Sequence, residues 1–181
     1  MNELGKLIGS MILRDTVTLE RCQKLHPLVR QEVIDTIAAV EKGFPVNMKI
    51  RVVQGLRTIA EQNALYAQGR TQPGQKVTNA KGGSSFHNYG LAIDFAIMYD
   101  KDGDGKFEEL SWDTAKDFDK DGIIDWQEMV TAFEAAGWQW GGKFRTFKDL
   151  PHIEKSFGFK PSQLLARVQA GKSTAGYVNL T

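Results

Sequence analysis

The alternation that begins at Leu91 constrains this chain more than any other stretch. Leu91, Ile93, Phe95 and Ile97 are large and apolar, while Ala92, Asp94 and Ala96 fill the positions between them. Successive side chains of a strand point to opposite faces, so the pattern predicts a strand with one face turned to a core. A carboxylate flanked by two alanines on the other face has space above it. His87 stands just before the Tyr89-Gly90 turn that starts the strand.

The remaining patterns surround that strand with helices. Residues 1–45 read as helical, with Val29, Val33, Ile37 and Val40 on one face, Pro27 in a first turn and Gly43 at a stop. Met48, Ile50 and Val52 alternate with Lys49, Arg51 and Val53, which predicts a second strand. Thr58 with Glu61 three residues on has the spacing of a capping box. Residues 69–84 almost lack large apolar groups and read as a long surface loop, a kind that is often functional. Trp126, Met129, Val130 and Phe133 mark a helix, and Pro161 starts a last one. The order predicts an α+β fold, a small antiparallel sheet with flanking helices, rather than a doubly wound parallel sheet. One domain over 1–181 is expected, with 160–181 as a C-terminal helix and tail.

Composition excludes several classes. The chain has 41% hydrophobic and 25% charged residues, as an ordered globular protein does. A net charge of +1 without a Lys/Arg run gives no reason to expect nucleic acid. No apolar run approaches the ~20 residues of a membrane span. The start, "MNELGKLIGSMILRD", has no basic beginning, apolar run or cleavage site, so no signal peptide is expected. Cys22 is the single cysteine and reads as a small packing residue. A monomer made in the cytoplasm is expected.

Three histidines exist, His26, His87 and His152. Hydrolytic zinc sites use three ligands from His and Asp/Glu and leave one position for water. His87, Asp94 and His152 would supply such a set, although His-x6-Asp alone also fits a capping or surface pair. Asp149, three residues before His152, is the candidate base for a metal-activated water; read alone, it equally suits a turn before Pro151. His26 reads as a helix-entry residue.

Three motifs then carry a resemblance: "QGLRT" with a following Gln62, "SFHNYGLAIDF", and "DLPH". Together they resemble the L-alanyl-D-glutamate peptidases, phage endolysins and bacterial cell-wall enzymes related to the VanY-type D,D-carboxypeptidases. The resemblance runs from about Leu25 to Gly171. It implies zinc on His87, Asp94 and His152 in a cleft on the open sheet face, with Asp149 as catalytic base and Arg57 beside the scissile carbonyl. It also implies roles for Gln62 and Ser85 in orienting substrate or neighbouring groups. Related carboxypeptidases often carry Glu where Asp149 stands, which points away from that activity. The implied reaction is hydrolysis of the L-Ala–D-Glu bond of peptidoglycan, with a Lys or Asn of 69–84 as a partner for the D-Glu carboxylate. A phage endolysin freed by a holin-type route is the expected setting. The alternatives are a zinc D,D-carboxypeptidase and a non-catalytic, calcium-dependent wall-binding module.

Independently of that resemblance, residues 100–128 read as an acidic insertion. "DFDKDGIIDWQE" places Asp117, Asp119, Asp121, Ile123, Asp125 and Glu128 at the ligand positions of an EF-hand loop, with Gly122 at its turn. Calcium is the expected ion. "DKDGDGKFEELS" begins likewise with Asp100, Asp102, Asp104 and Lys106, but Ser111 stands at the twelfth position, and Glu108 or Glu109 would have to compensate. The two loops start at Asp100 and Asp117, too close for two full helix–loop–helix hands.

Overall fold

A computed structural model describes residues 13–181 of the chain. The start of the helical reading of 1–45, and most of the N-terminal stretch read against an export signal, lie outside the described residues. Helix α1 (Thr16–Gln23) is capped by Asp15, which accepts from Thr18 N. A short acidic side chain thereby satisfies a helix donor that has no partner within the helix. His26 caps α2 (Pro27–Glu41) through Nδ1, which accepts from Leu28 N, and Pro27 takes the first turn. The face expected to be apolar is the covered one, with Val29, Val33 and Ile37 fully buried.

Strand β1 (Met48–Gln54) buries Met48, Ile50 and Val52, as its alternation predicts. Helix α3 (Ile59–Ala67) starts with the complete Thr58/Glu61 capping box. Beyond an isolated Gln68–Gln72 bridge, residues 69–84 form neither helix nor strand. A 3-10 turn (Phe86–Tyr89) then ends at Gly90. Gly90 has φ +67, and a Cβ there would sit 2.6 Å from His26 N. Only glycine lets the chain turn this close to the α2 entry.

Strand β2 (Ala92–Tyr99) is central. It pairs antiparallel with β1 along one edge. Its other edge pairs with β5 (His152–Glu154) near the start and β3 (Glu109–Ser111) near the end, and β4 (Gln139–Trp140) lies outside β5. The fold is therefore α+β with a small antiparallel sheet. Helix α4 (Asp125–Ala135) packs on the apolar face of β2, with the Trp126 and Phe95 rings 4.5 Å apart. The opposite face is less open than the alternation suggests: Ala92 and Ala96 are fully buried, and Asp94 alone of that trio is partly exposed. Methyl side chains let neighbouring segments close over the strand at Ala92 and Ala96, leaving that face partly open at Asp94 and, further along, at Met98.

Helix α5 (Pro161–Gln169) is followed by a hairpin rather than a plain tail: β6 (Ser173–Thr174) and β7 (Tyr177–Val178) join through Ala175 and Gly176, both at positive φ. Buried residues from α1, α2, the sheet, α4, α5 and β7 form one apolar cluster. Among the described residues no helix is long and apolar enough to cross a membrane.

Candidate metal centre and active site

The register between β2 and β5 builds the centre. Asp94 pairs directly with His152, and residues directly opposite in an antiparallel pair have Cβ atoms ~4.5–5.5 Å apart on one face. His87 arrives from the 3-10 turn before β2, where the Ser85 hydroxyl accepts from its backbone N–H at 3.3 Å. The result is a triangle of donor atoms. His87 Nε2 lies 3.1 Å from Asp94 Oδ1 and 3.1 Å from His152 Nδ1, and His152 Nδ1 lies 3.0 Å from Asp94 Oδ1. Ligands at ~2.0–2.1 Å around a tetrahedral zinc lie ~3.3 Å apart, so two imidazoles and one carboxylate at this spacing fit zinc and leave a fourth position.

Each histidine is held from behind. The other nitrogen of His87, Nδ1, is 2.8 Å from the Gly55 carbonyl, and His152 Nε2 is 2.9 Å from Glu154 Oε2. Neither partner is apparent in the sequence reading. Gly55 contributes a backbone oxygen, which residue type does not reveal. Glu154 has a signal: two residues after His152 on a strand, it shares that histidine's face.

The charges in the centre balance one another. Burial opposes ionisation of Asp94, but His87 and His152 outweigh it and hold the carboxyl well below the usual range. Burial also works against a charged His152, yet its hydrogen bonds to Asp94 and Glu154 push its pKa up to about 9. Asp149 differs: burial, and then the Asp94 carboxylate, raise its pKa, partly offset by His152, His87 and Arg57. It is a carboxylate adjusted toward proton exchange.

Asp149 owes its place to Gly141. Gly141 O accepts from Asp149 N at 3.1 Å and from Phe144 N at 3.1 Å, while His152 N donates to Asp149 O at 3.2 Å. A Cβ on Gly141 would press on the Asp149 carbonyl oxygen and stand 3.1 Å from the Cβ atoms of Asp149 and His152. Glycine is needed because two chain segments meet there.

Arg57 is stitched to the His87 turn by its own N–H, which donates to His87 O at 3.0 Å, and by Asn88 Nδ2, which donates to Arg57 O at 3.0 Å. Its Nη2 is 3.8 Å from Asp94 Oδ2, and Nη1 donates to Gln62 Oε1 at 2.9 Å. Gln62 is fully buried and also donates to Ala80 O at 2.8 Å, so it ties the 69–84 loop to the arginine. Arg57 Nε is buried without an acceptor among the described residues. Burial draws the guanidinium pKa down, against the pull of Asp94, Glu61 and Asp149; a guanidinium stays cationic regardless. His26 lies outside this group: its Nε2 meets Val178 O at 2.9 Å in the C-terminal hairpin.

The acidic segment contains two further clusters. Carboxylates of Asp117, Asp119 and Asp125 converge in one, and those of Asp100, Asp102, Asp104 and Glu108 in the other. Gly122 N donates to Asp117 Oδ2 at 3.0 Å across the second loop. Among the described residues, Asp117 Oδ1 and Glu128 Oε2 are buried without a hydrogen-bond partner. Burial, then Asp121, Asp119, Asp125 and Asp117, push Glu128 up to about 7. Ile123 is exposed at the outer edge of the same loop. In the first loop Asp100 accepts from Gly103 N and Gly105 N, Lys106 pairs with Asp104 at 2.5 Å, and Glu109 pairs with Lys101. Two protein cations therefore already neutralise part of that loop. Ser111 belongs to β3, so no twelfth-position carboxylate exists there.

Comparison with known proteins places this geometry in a family. A family model described as D-alanyl-D-alanine carboxypeptidase, within the M15 peptidases, matches residues 78–155, the span that holds His87, Asp94, Asp149 and His152. The peptidoglycan L-alanyl-D-glutamate endopeptidase CwlK of Bacillus subtilis (strain 168) is 45% identical over 132 residues, covering 72% of this chain and 72% of that protein. The crystal structure of Serratia marcescens L-Ala D-Glu endopeptidase ChiX aligns at 20% identity and a TM-score of 0.49, over 81% of this chain and 92% of the other. Being 45% identical to a cell-wall endopeptidase over 72% of each chain, the chain belongs to the M15 family of peptidases.

Proposed function

We propose that this chain is a zinc-dependent peptidoglycan endopeptidase that hydrolyses the L-Ala–D-Glu bond of the stem peptide, working as one catalytic domain over 1–181 and as a monomer. The convergence of His87, Asp94 and His152 within 3.1 Å, beside Asp149 and Arg57, carries this reading. Those three side chains would hold the ion. Bound there, zinc supplies Lewis acidity toward an amide carbonyl and lowers the pKa of water toward ~7. Asp149 is suited to take a proton from the attacking water and return it to the leaving amine, because a base with a raised pKa exchanges protons nearer neutral pH. Arg57 donates to the carbonyl oxygen as negative charge gathers on it. Gln62 aims that guanidinium, and Ser85 sets the turn that presents His87.

The test is digestion of purified sacculi. Wild-type protein is expected to clear the suspension and leave new amino termini on D-Glu. Asp149→Asn is expected to lose ~10²–10⁴-fold in rate while still taking up zinc. Unchanged hydrolysis by that variant contradicts the assignment. The family description favours one second reading, a D,D-carboxypeptidase; release of free D-Ala without new D-Glu termini would select it.

The 100–128 insertion is proposed to bind calcium through Asp117, Asp119, Asp121, the Ile123 carbonyl, Asp125 and Glu128. Asp117, Asp119 and Asp125 converge, and among the described residues Asp117 Oδ1 and Glu128 Oε2 have no hydrogen-bond donor; both observations support this, since six to eight oxygens are what calcium requires. The loop of Asp100, Asp102, Asp104, Lys106 and Glu108 is the weaker candidate, its charge partly matched by lysines. Calcium titration should raise the thermal midpoint, and a calcium-selective chelator should reverse that. A midpoint indifferent to both refutes calcium binding.

A further inference from the structure

We infer that Glu154 is a positioning residue of the metal centre, whose carboxylate holds the Nε2 proton of His152 and so commits Nδ1 to the cation; this rests on the reading of His87, Asp94 and His152 as ligands. A neutral imidazole has one protonated nitrogen and one lone pair, and the partner of the first fixes the direction of the second. Glu154 Oε2 lies 2.9 Å from His152 Nε2. An ionised carboxylate can only accept, so the shared proton belongs to the ring nitrogen. Nδ1, 3.0 Å from Asp94 Oδ1 and 3.1 Å from His87 Nε2, is the nitrogen left to give up its proton when a cation occupies the triangle, and its lone pair then faces the ion. In the opposite tautomer an N–H would point into the triangle and exclude a cation.

The sheet makes this grip reliable. Residues two apart on a strand share a face, and Glu154 is paired on both sides, with Ala92 of β2 and Gln139 of β4. Its side chain is only 15% exposed, and among the described residues His152 is its sole ion-pair partner. The two histidines are thus fixed by different means: a main-chain carbonyl holds His87, and a replaceable side chain holds His152.

The test compares wild type, Glu154→Gln and Glu154→Ala for zinc affinity by competition with a chromogenic chelator, alongside long-range proton–nitrogen spectra of the zinc-loaded protein. The alanine variant is expected to bind zinc ~10–100-fold more weakly. The glutamine variant, whose amide oxygen still accepts but without charge assistance, should fall between the two. The wild-type spectrum should show His152 protonated at Nε2 and metal-bound at Nδ1. Equal zinc affinity in all three proteins, or a metal-bound Nε2, overturns the inference. If the alanine variant does not fold, the near-isosteric glutamine variant carries the comparison, and an affinity matching wild type overturns it. A wild-type chain that takes up no zinc instead refutes the ligand set itself, an outcome distinct from wild-type binding that ignores position 154.

Discussion

At His152 one imidazole meets two carboxylates, and at Gly141 the absence of a side chain lets that histidine and Asp149 come together. Gly141→Ala puts a methyl against the Asp149 carbonyl, so backbone must shift. Overpacking of this kind costs about 1–3 kcal/mol. Thermal unfolding should show that loss, and sacculus hydrolysis should fall further than stability explains, because the group displaced is the proposed base. A variant with wild-type rate would mean that Asp149 tolerates displacement. The convergence of His87, Asp94 and His152 was foreshadowed by the scarcity of histidines and by Asp94 in an apolar alternation, but those residues alone also fit a capping or surface pair, and the resemblance of three motifs singled them out. The supports of that set were not legible: the Gly55 carbonyl and the Gly141 contact arise where distant segments meet, and neither leaves a trace in residue type.

Among the elements, β2 joins the parts. It carries Asp94 near its start, and at its end Tyr99 donates to Asp125 at the head of α4 with a 2.6 Å hydrogen bond. The strand was legible from Leu91, Ile93, Phe95 and Ile97. The burial of Ala92 and Ala96 was not, because alternation reports side-chain type and cannot tell which segments cover a face. The two-residue strands β4, β6 and β7 carry too few residues for any period to register. Glu128 gives this level a pH test. Its folded pKa of about 7 lies above the ordinary 4.5. The folded state therefore holds that proton more tightly, and the stabilisation, full below about 4.5, is lost as pH rises through about 7. Without calcium, the wild-type thermal midpoint should fall relative to Glu128→Gln between about pH 5 and 8. Calcium near pH 8 should raise the wild type and leave the variant nearly unmoved. Parallel pH profiles would contradict the clustering of carboxylates around Glu128.

Across the whole molecule, the first helices and the last hairpin close on each other through His26, which caps α2 with one nitrogen and meets Val178 O with the other. Tyr177 adds a hydrogen bond to Lys24 O, and Arg167 donates to Asn179 O. His26→Ala should cost about 1–2 kcal/mol in chemical denaturation through the lost cap and hydrogen bond, with hydrolysis at low temperature unchanged. Lost zinc uptake in that variant would contradict a purely structural role. The helix-entry role of His26 was legible beside Pro27; its hold on the hairpin was not, since 152 residues separate the partners. The proposed hydrolysis depends on one cation being shared by two imidazoles and a carboxylate. X-ray absorption at the zinc edge, on protein loaded with one equivalent, tests that most directly. It should report two imidazole nitrogens and oxygen ligands at ~2.0–2.1 Å, and the imidazole signal should diminish in His152→Ala. An all-oxygen shell, or a spectrum unchanged by that substitution, would contradict it.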